Sequence, residues 1–190
     1  MRLFKLFLFL LLFFLTSCGA KTNLQDSIFI DKNFDFTIIK RIAVIPFENY
    51  SENREAGEII RQLVIHELQS LTITIPSADV DKVLKAERIN KPEEITTEIM
   101  QKLAKELKVD VLIGGIVYKY GETREGIIGI PEVSINLKVI DPQSGTIVFS
   151  IVKTERGGSF WTKHFGAGAM PITQVALKVI SDAVKKLAEL

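Results

Sequence analysis

Residues 132–140 (EVSINLKVI) place Val133, Ile135, Leu137 and Val139 on one side of an extended chain and Ser134, Asn136 and Lys138 on the other. A period of two marks a strand with one buried face, and a register slip of one residue would turn that whole apolar set toward water. Asp141-Pro142-Gln143-Ser144-Gly145 follows as turn chemistry, and residues 146–154 (TIVFSIVKT) read as the returning strand. This hairpin commits the chain to a sheet whose apolar face must be covered by other elements.

The covering elements can be read in order. Residues 41–47 (RIAVIPF) form a short, nearly all-apolar run, the pattern of a strand buried on both faces, ended at Pro46. After a loop at 49–53, residues 55–71 read as a helix with Ala56, Ile60, Leu63, Val64, Leu68 and Leu71 on one face. Residues 72–75 (TITI) read as a short strand stopped by Pro76. Ser77 or Asp79 is expected to cap a short helix carrying Val80, Val83 and Leu84. Ile95, Ile99, Leu103 and Leu107 recur every four residues, predicting a third helix.

Residues 109–120 (VDVLIGGIVYKY) read as a long strand. Pro171 suits the first turn of a last helix, whose core face is Ile172, Ala176, Val179, Ile180, Ala183 and Leu187. The order β-α-β-α-α-β-β-β-α joins a βαβ unit to an antiparallel meander. The expected class is α/β (α+β), with one mixed sheet and helices packed on it.

The amino terminus carries a different signal. Arg2 and Lys5 precede an unbroken run of Leu and Phe over residues 6–15, which is too short to span a bilayer and has the length of a secretory h-region. The run ends at Leu15-Thr16-Ser17-Cys18, and Cys18 is the one cysteine in 190 residues. The pattern resembles a bacterial lipobox, in which the thiol after small residues accepts a diacylglycerol. The expected division is a signal peptide at 1–17, a lipidated Cys18 with a short tether at 18–33, and one globular domain at 34–190, with cleavage between Ser17 and Cys18. A flexible tether of about 15 residues spans about 20 Å as coil and at most about 50 Å extended. Gly19 follows the cysteine where an Asp would resemble an inner-membrane retention signal, so the outer membrane facing the periplasm is the expected location.

Composition narrows the functions. Loss of Arg2 and Lys5 leaves 22 of the 24 Lys and Arg against 23 Asp and Glu, so there is no basic footprint for nucleic acid. One Cys and two His leave little for a metal centre. His66 falls off the apolar face of its helix. His164 has no ligand neighbour at a metal spacing, and Glu93-Glu94 suit a helix start. No metal, no cofactor beyond the covalent lipid and no catalytic residue is expected. Two stretches read as binding surfaces: Ile127, Ile128 and Ile130 among glycines in the connection 121–131, and Phe160, Trp161 and Phe165 in the Gly-rich loop 159–170.

Four segments carry a family resemblance. Residues 41–49 (RIAVIPFEN), 76–84 (PSADVDKVL), 107–120 (with Asp110, Gly115 and Val117) and 141–150 (DPQSGTIVFS) resemble, in order, motifs of the CsgG/LpoB-like superfamily. That superfamily holds the curli-secretion-channel family, a penicillin-binding-protein activator and TolB amino-terminal-like domains. Lys108 stands where the family pattern has Gly, and Ser144 and Phe149 stand where it has Thr and Trp. Over residues 38–190 the resemblance implies a TolB amino-terminal-like fold. It also implies a non-enzymatic lipoprotein that binds an envelope protein, such as a cell-wall synthase or secretion component, or assembles with its own copies. The alternative it implies is a subunit of an oligomeric secretion channel.

Overall fold

The computed structural model describes residues 26–125, 128–158, 168 and 170–190. Seven strands form one sheet: β1 (Ser27–Ile30), β2 (Arg41–Val44), β3 (Glu48–Asn49), β4 (Ile73–Thr74), β5 (Val111–Glu125), β6 (Ile128–Ile140) and β7 (Ile147–Arg156). Among the described residues four α-helices pack on it: α1 (Ala56–Leu68), α2 (Ser77–Ala86), α3 (Thr97–Leu107) and α4 (Ile172–Ala188). The strand order is β1-β7-β6-β5-β2-β4, with β3 also beside β5. β2 runs parallel to β4 and β5, whereas β5, β6, β7 and β1 run antiparallel in turn. The mixed α+β sheet expected from the sequence is the one observed.

Two apolar clusters lie on opposite faces of the sheet. Val133, Ile135, Leu137 and Val139 of β6, with Phe149 and Ile151 of β7, pack under α1 and α4. Ala43 and Ile45, with Leu112, pack under α2 and α3. The β2–β4 end is therefore covered on both faces. Across β6 and β7, the alternate positions Ser134, Asn136, Ser150 and Thr154 carry polar side chains.

The layers are tied by Arg61 of α1, a charged residue only 1% exposed. Its Nε donates to the Val44 carbonyl (3.0 Å) and its Nη1 lies 2.8 Å from Asp81 Oδ1 of α2. The Val44 carbonyl is free because β4 is so short. Ile75 N–H takes the Ile42 carbonyl, and Pro76 then turns the chain away before the next edge carbonyl can be paired.

Four expectations are corrected. Ser27–Ile30, placed in the tether, pair with β7 as an edge strand, so the sheet begins before residue 34. α1 ends at Leu68, and Leu71 beyond it is exposed. Neither Ser77 nor Asp79 caps α2, because Pro76 is its N-cap residue. Much of the connection at 121–131 is strand, since β5 and β6 pair as far as Glu125↔Ile128.

The backbone at Lys108, where the resembled motif has Gly, is a strained one. Lys108 is the C-cap of α3 in the left-handed region (φ 54°, ψ 52°), where a Cβ is unfavourable. Gly115, at φ 155°, is required: a Cβ there would overlap the Asn136 carbonyl oxygen of β6. Lys108→Gly is expected to raise unfolding free energy by about 1 kcal/mol, and Gly115→Ala to lower it by about 3 kcal/mol. Urea unfolding followed by far-UV circular dichroism checks both.

Candidate interaction surfaces

The expected contact residues separate on inspection. Ile130 is 1% exposed, which corrects its assignment to a binding surface. It lies on the strand face of Glu132 and Ser134, and the chain after β7 continues the pairing alongside it. The Gly157 amide donates to the Pro131 carbonyl (2.7 Å), and a Cβ on Gly158 would come within 2.8 Å of Ile130 Cγ2. Ile128 has its backbone in β6 opposite Glu125. Ile127, Phe160, Trp161, Phe165, His164, Ser17 and Cys18 lie outside the described residues. His66 is exposed on α1. Glu94 sits in a 3-10 turn (Pro92–Glu94), where it accepts the amides of Asn90 (2.8 Å) and Lys91 (3.2 Å); these bonds hold its carboxyl below the usual range.

Three features missed by the sequence reading mark the surface. The first is the polar face of the meander. Ser150 Oγ donates to Asn136 Oδ1 (2.8 Å), the Ser134 and Thr154 hydroxyls meet at 2.7 Å, and Arg156 Nε donates to Glu132 (2.9 Å). These rungs keep hydrophilic side chains ordered on the sheet face opposite α1 and α4.

The second is a cleft of about 240 Å³ where this face meets the 3-10 turn, lined in part by Glu48, Glu93, Met100, Lys138 and Ile147. Beside it the Tyr50 hydroxyl donates to Glu48 (3.0 Å), and this bond, with the Glu48 charge, pushes the exposed phenol above its ordinary pKa. A phenol held protonated is a hydrogen-bonding group rather than a base. Among the described residues no group of His, Cys, Asp and Glu is placed to hold a metal ion, and no helix is long and apolar enough to cross a membrane.

The third is β1. Ile28 (43%), Phe29 (53%) and Ile30 (40%) are exposed on the sheet's edge. β1 is held at its start by Lys153 of β7, which donates to Asp26 Oδ2 (2.8 Å) and lies 3.4 Å from Asp182 of α4. Burial works to lower the Lys153 pKa, but the Asp26 hydrogen bond and the two carboxylate charges outweigh it, so the ammonium is held above its ordinary value. The stabilisation of a raised lysine is complete at neutral pH and is lost only as pH climbs through the folded pKa.

Comparisons with known proteins place this fold. No family model matches the sequence, and no curated protein matches it significantly. Among solved structures, an L103M variant of the PelC dodecamer from Paraburkholderia phytofirmans superposes with a TM-score of 0.59 at 16% identity, covering 86% of this chain and 98% of that one. Lipoprotein GNA1162 from Neisseria meningitidis gives 0.58 at 19% identity, covering 80% and 99%. The hypothetical protein CT253 from Chlamydia trachomatis gives 0.51 at 13%, covering 79% and 96%. The likeness is one of fold, shared with these chains over most of their length.

Lys153→Met is expected to loosen β1 selectively. Hydrogen exchange at residues 27–30 should quicken severalfold at pH 7 while α1 and β6 keep their protection, and global stability should fall by about 1 kcal/mol. The difference from wild type should narrow only at strongly alkaline pH.

Proposed function

We propose that this chain is a lipid-anchored, non-enzymatic protein-binding module of the bacterial cell envelope, held by Cys18 at the outer membrane and facing the periplasm. The observation that carries the reading is the single cysteine standing at the end of a ten-residue apolar run, directly behind Leu15-Thr16-Ser17. The fold supports it, because GNA1162, similar over nearly its whole length, is a lipoprotein. The two or three acyl chains of a lipoprotein anchor stably, where one would bind marginally. The surfaces also support it: an ordered polar sheet face, a cleft with charges of both signs and an apolar edge strand are contact features. The partner in this reading is an envelope protein, such as a cell-wall synthase or a secretion component, or further copies of the chain, as PelC is a dodecamer.

A channel subunit is the second reading, favoured by that same dodecamer. Against it stands the use of the long hairpin. β5 and β6 carry Val117, Val133 and Ile135 in the core, so these segments are already committed to the sheet.

The anchor is tested by growing cells with labelled palmitate and separating membranes. Wild type is expected in the outer-membrane fraction with label attached, and Cys18→Ala without label and in the soluble periplasmic fraction. Label retained by the variant, or absent from wild type, would refute the reading.

A further inference from the structure

The two ends of the sheet differ. At one end β4 is only two residues long, a blunted edge. At the other, β1 pairs with β7 on one side and has no strand neighbour on the other among the described residues. Soluble proteins guard such edges with lysine, proline or a bulge. β1 reads Ser27-Ile28-Phe29-Ile30, is exposed throughout and carries none of these guards. We propose that β1 pairs antiparallel with β1 of a second copy about a two-fold axis at Phe29, joining two sheets into one.

The register follows from hydrogen-bond direction and charge. The Asp31 amide donates to the Val148 carbonyl of β7 (2.8 Å). By the period of two, Phe29 also directs its backbone groups at β7, whereas Ile28 and Ile30 direct theirs outward. A second strand must therefore set an outward-directed residue of its own opposite Ile28 and Ile30, and of these registers the one pairing Ile28 with Ile30 matches both apolar residues to apolar residues. Registers that pair either with Phe29 are excluded, including the one that would set Asp26 against Asp31 of the other copy. Pairing Ile28 with Ile30 sets Phe29 against Phe29. At each end it brings Asp26 of one copy toward Lys32 of the other. Lys32 is exposed and makes no ion pair with a described residue. Ile28 and Ile30 lie opposite the core residues Ile151 and Phe149, so the pairing continues the apolar layer across the axis. A strand whose outward groups, side chains and flanking charges complement themselves fits a second copy of this chain.

This inference rests on the reading of a binding module but not on the lipid anchor, and its test separates the two. In the proposed register Phe29 faces its symmetry mate in a non-hydrogen-bonded pair, with Cα atoms about 4.5 Å apart, within disulfide reach. The full chain carrying Phe29→Cys is oxidised in cells, extracted in mild detergent and run without reductant. Wild type sets the background from Cys18, and the same variant on a Cys18→Ala background reports pairing without an anchor. A covalent dimer is expected from Phe29→Cys with unchanged thermal unfolding, and none from Ile28→Cys, whose mates are two positions out of line. Lys32→Glu added to Phe29→Cys should reduce the dimer about fivefold. A monomer, a ring that leaves position 29 uncrosslinked, or a crosslink of Phe29→Cys to another protein would each overturn the pairing. Dimer from Ile28→Cys instead would overturn the register and with it the charge argument.

Discussion

A single guanidinium holds the two halves of this fold in register. Arg61 belongs to the helix layer on one side of the sheet, yet it contacts Asp81 and the Ser77 carbonyl on the other. It reaches them past the end of β4, where Pro76 leaves the Val44 carbonyl without a strand partner. A buried charge is tolerated only when its donors are matched, and a planar fork with five N–H groups can match a carbonyl and a carboxylate together where a lysine cannot. The short strand, the proline after it and the buried arginine are thus one device. It caps an edge that would otherwise present an unpaired carbonyl to the apolar interior.

The same geometry decides where surface is left for partners. Near β2 the sheet is sandwiched, and its residues are spent on packing. Past β5 the apolar cover comes from α1 and α4 on one side, and the other side carries Ser134, Asn136, Ser150 and Thr154 bonded across the strands. A sheet face held by its own polar rungs needs no helix to hide it. It also meets the cleft at Glu93 and Lys138, so two of the contact features are continuous through one strand, β6. Fold alone does not name a function, and in this architecture the informative chemistry is surface chemistry.

How much was legible follows from how far apart the interacting residues sit. The β6–β7 hairpin was plain, because alternation and turn residues are neighbours in sequence. The face of α4 was plain for the same reason, with Ala176, Val179, Ile180 and Ala183 all buried as expected. Lys108, where the resembled motif has glycine, was visible as a departure, and its left-handed backbone shows what a glycine would relieve there. Four residues of β1 flanked by Asp26 and Asp31 cannot be told from a linker by pattern, because what makes them a strand is β7. The burial of Arg61 was equally hidden, since apolar periodicity reads a cation as solvent-facing; Glu58 three residues earlier was the local hint of a partner. Ile130 is buried with Gly158, just past β7, close beside it, a neighbour that periodicity in β6 alone does not contain.

The lateness of β1's partner has a consequence for the order in which the molecule assembles. Asp26 and Lys153 are 127 residues apart in the chain, and β1 has no neighbour in the sheet other than β7 among the described residues. Loop closure of that length follows the local hairpins and helices. β1, made before every other strand described, is therefore the last to be placed. Until β7 exists, Ile28, Phe29 and Ile30 travel as a bare apolar strand, so the period between synthesis and closure is the one in which the molecule most needs to be kept from its neighbours.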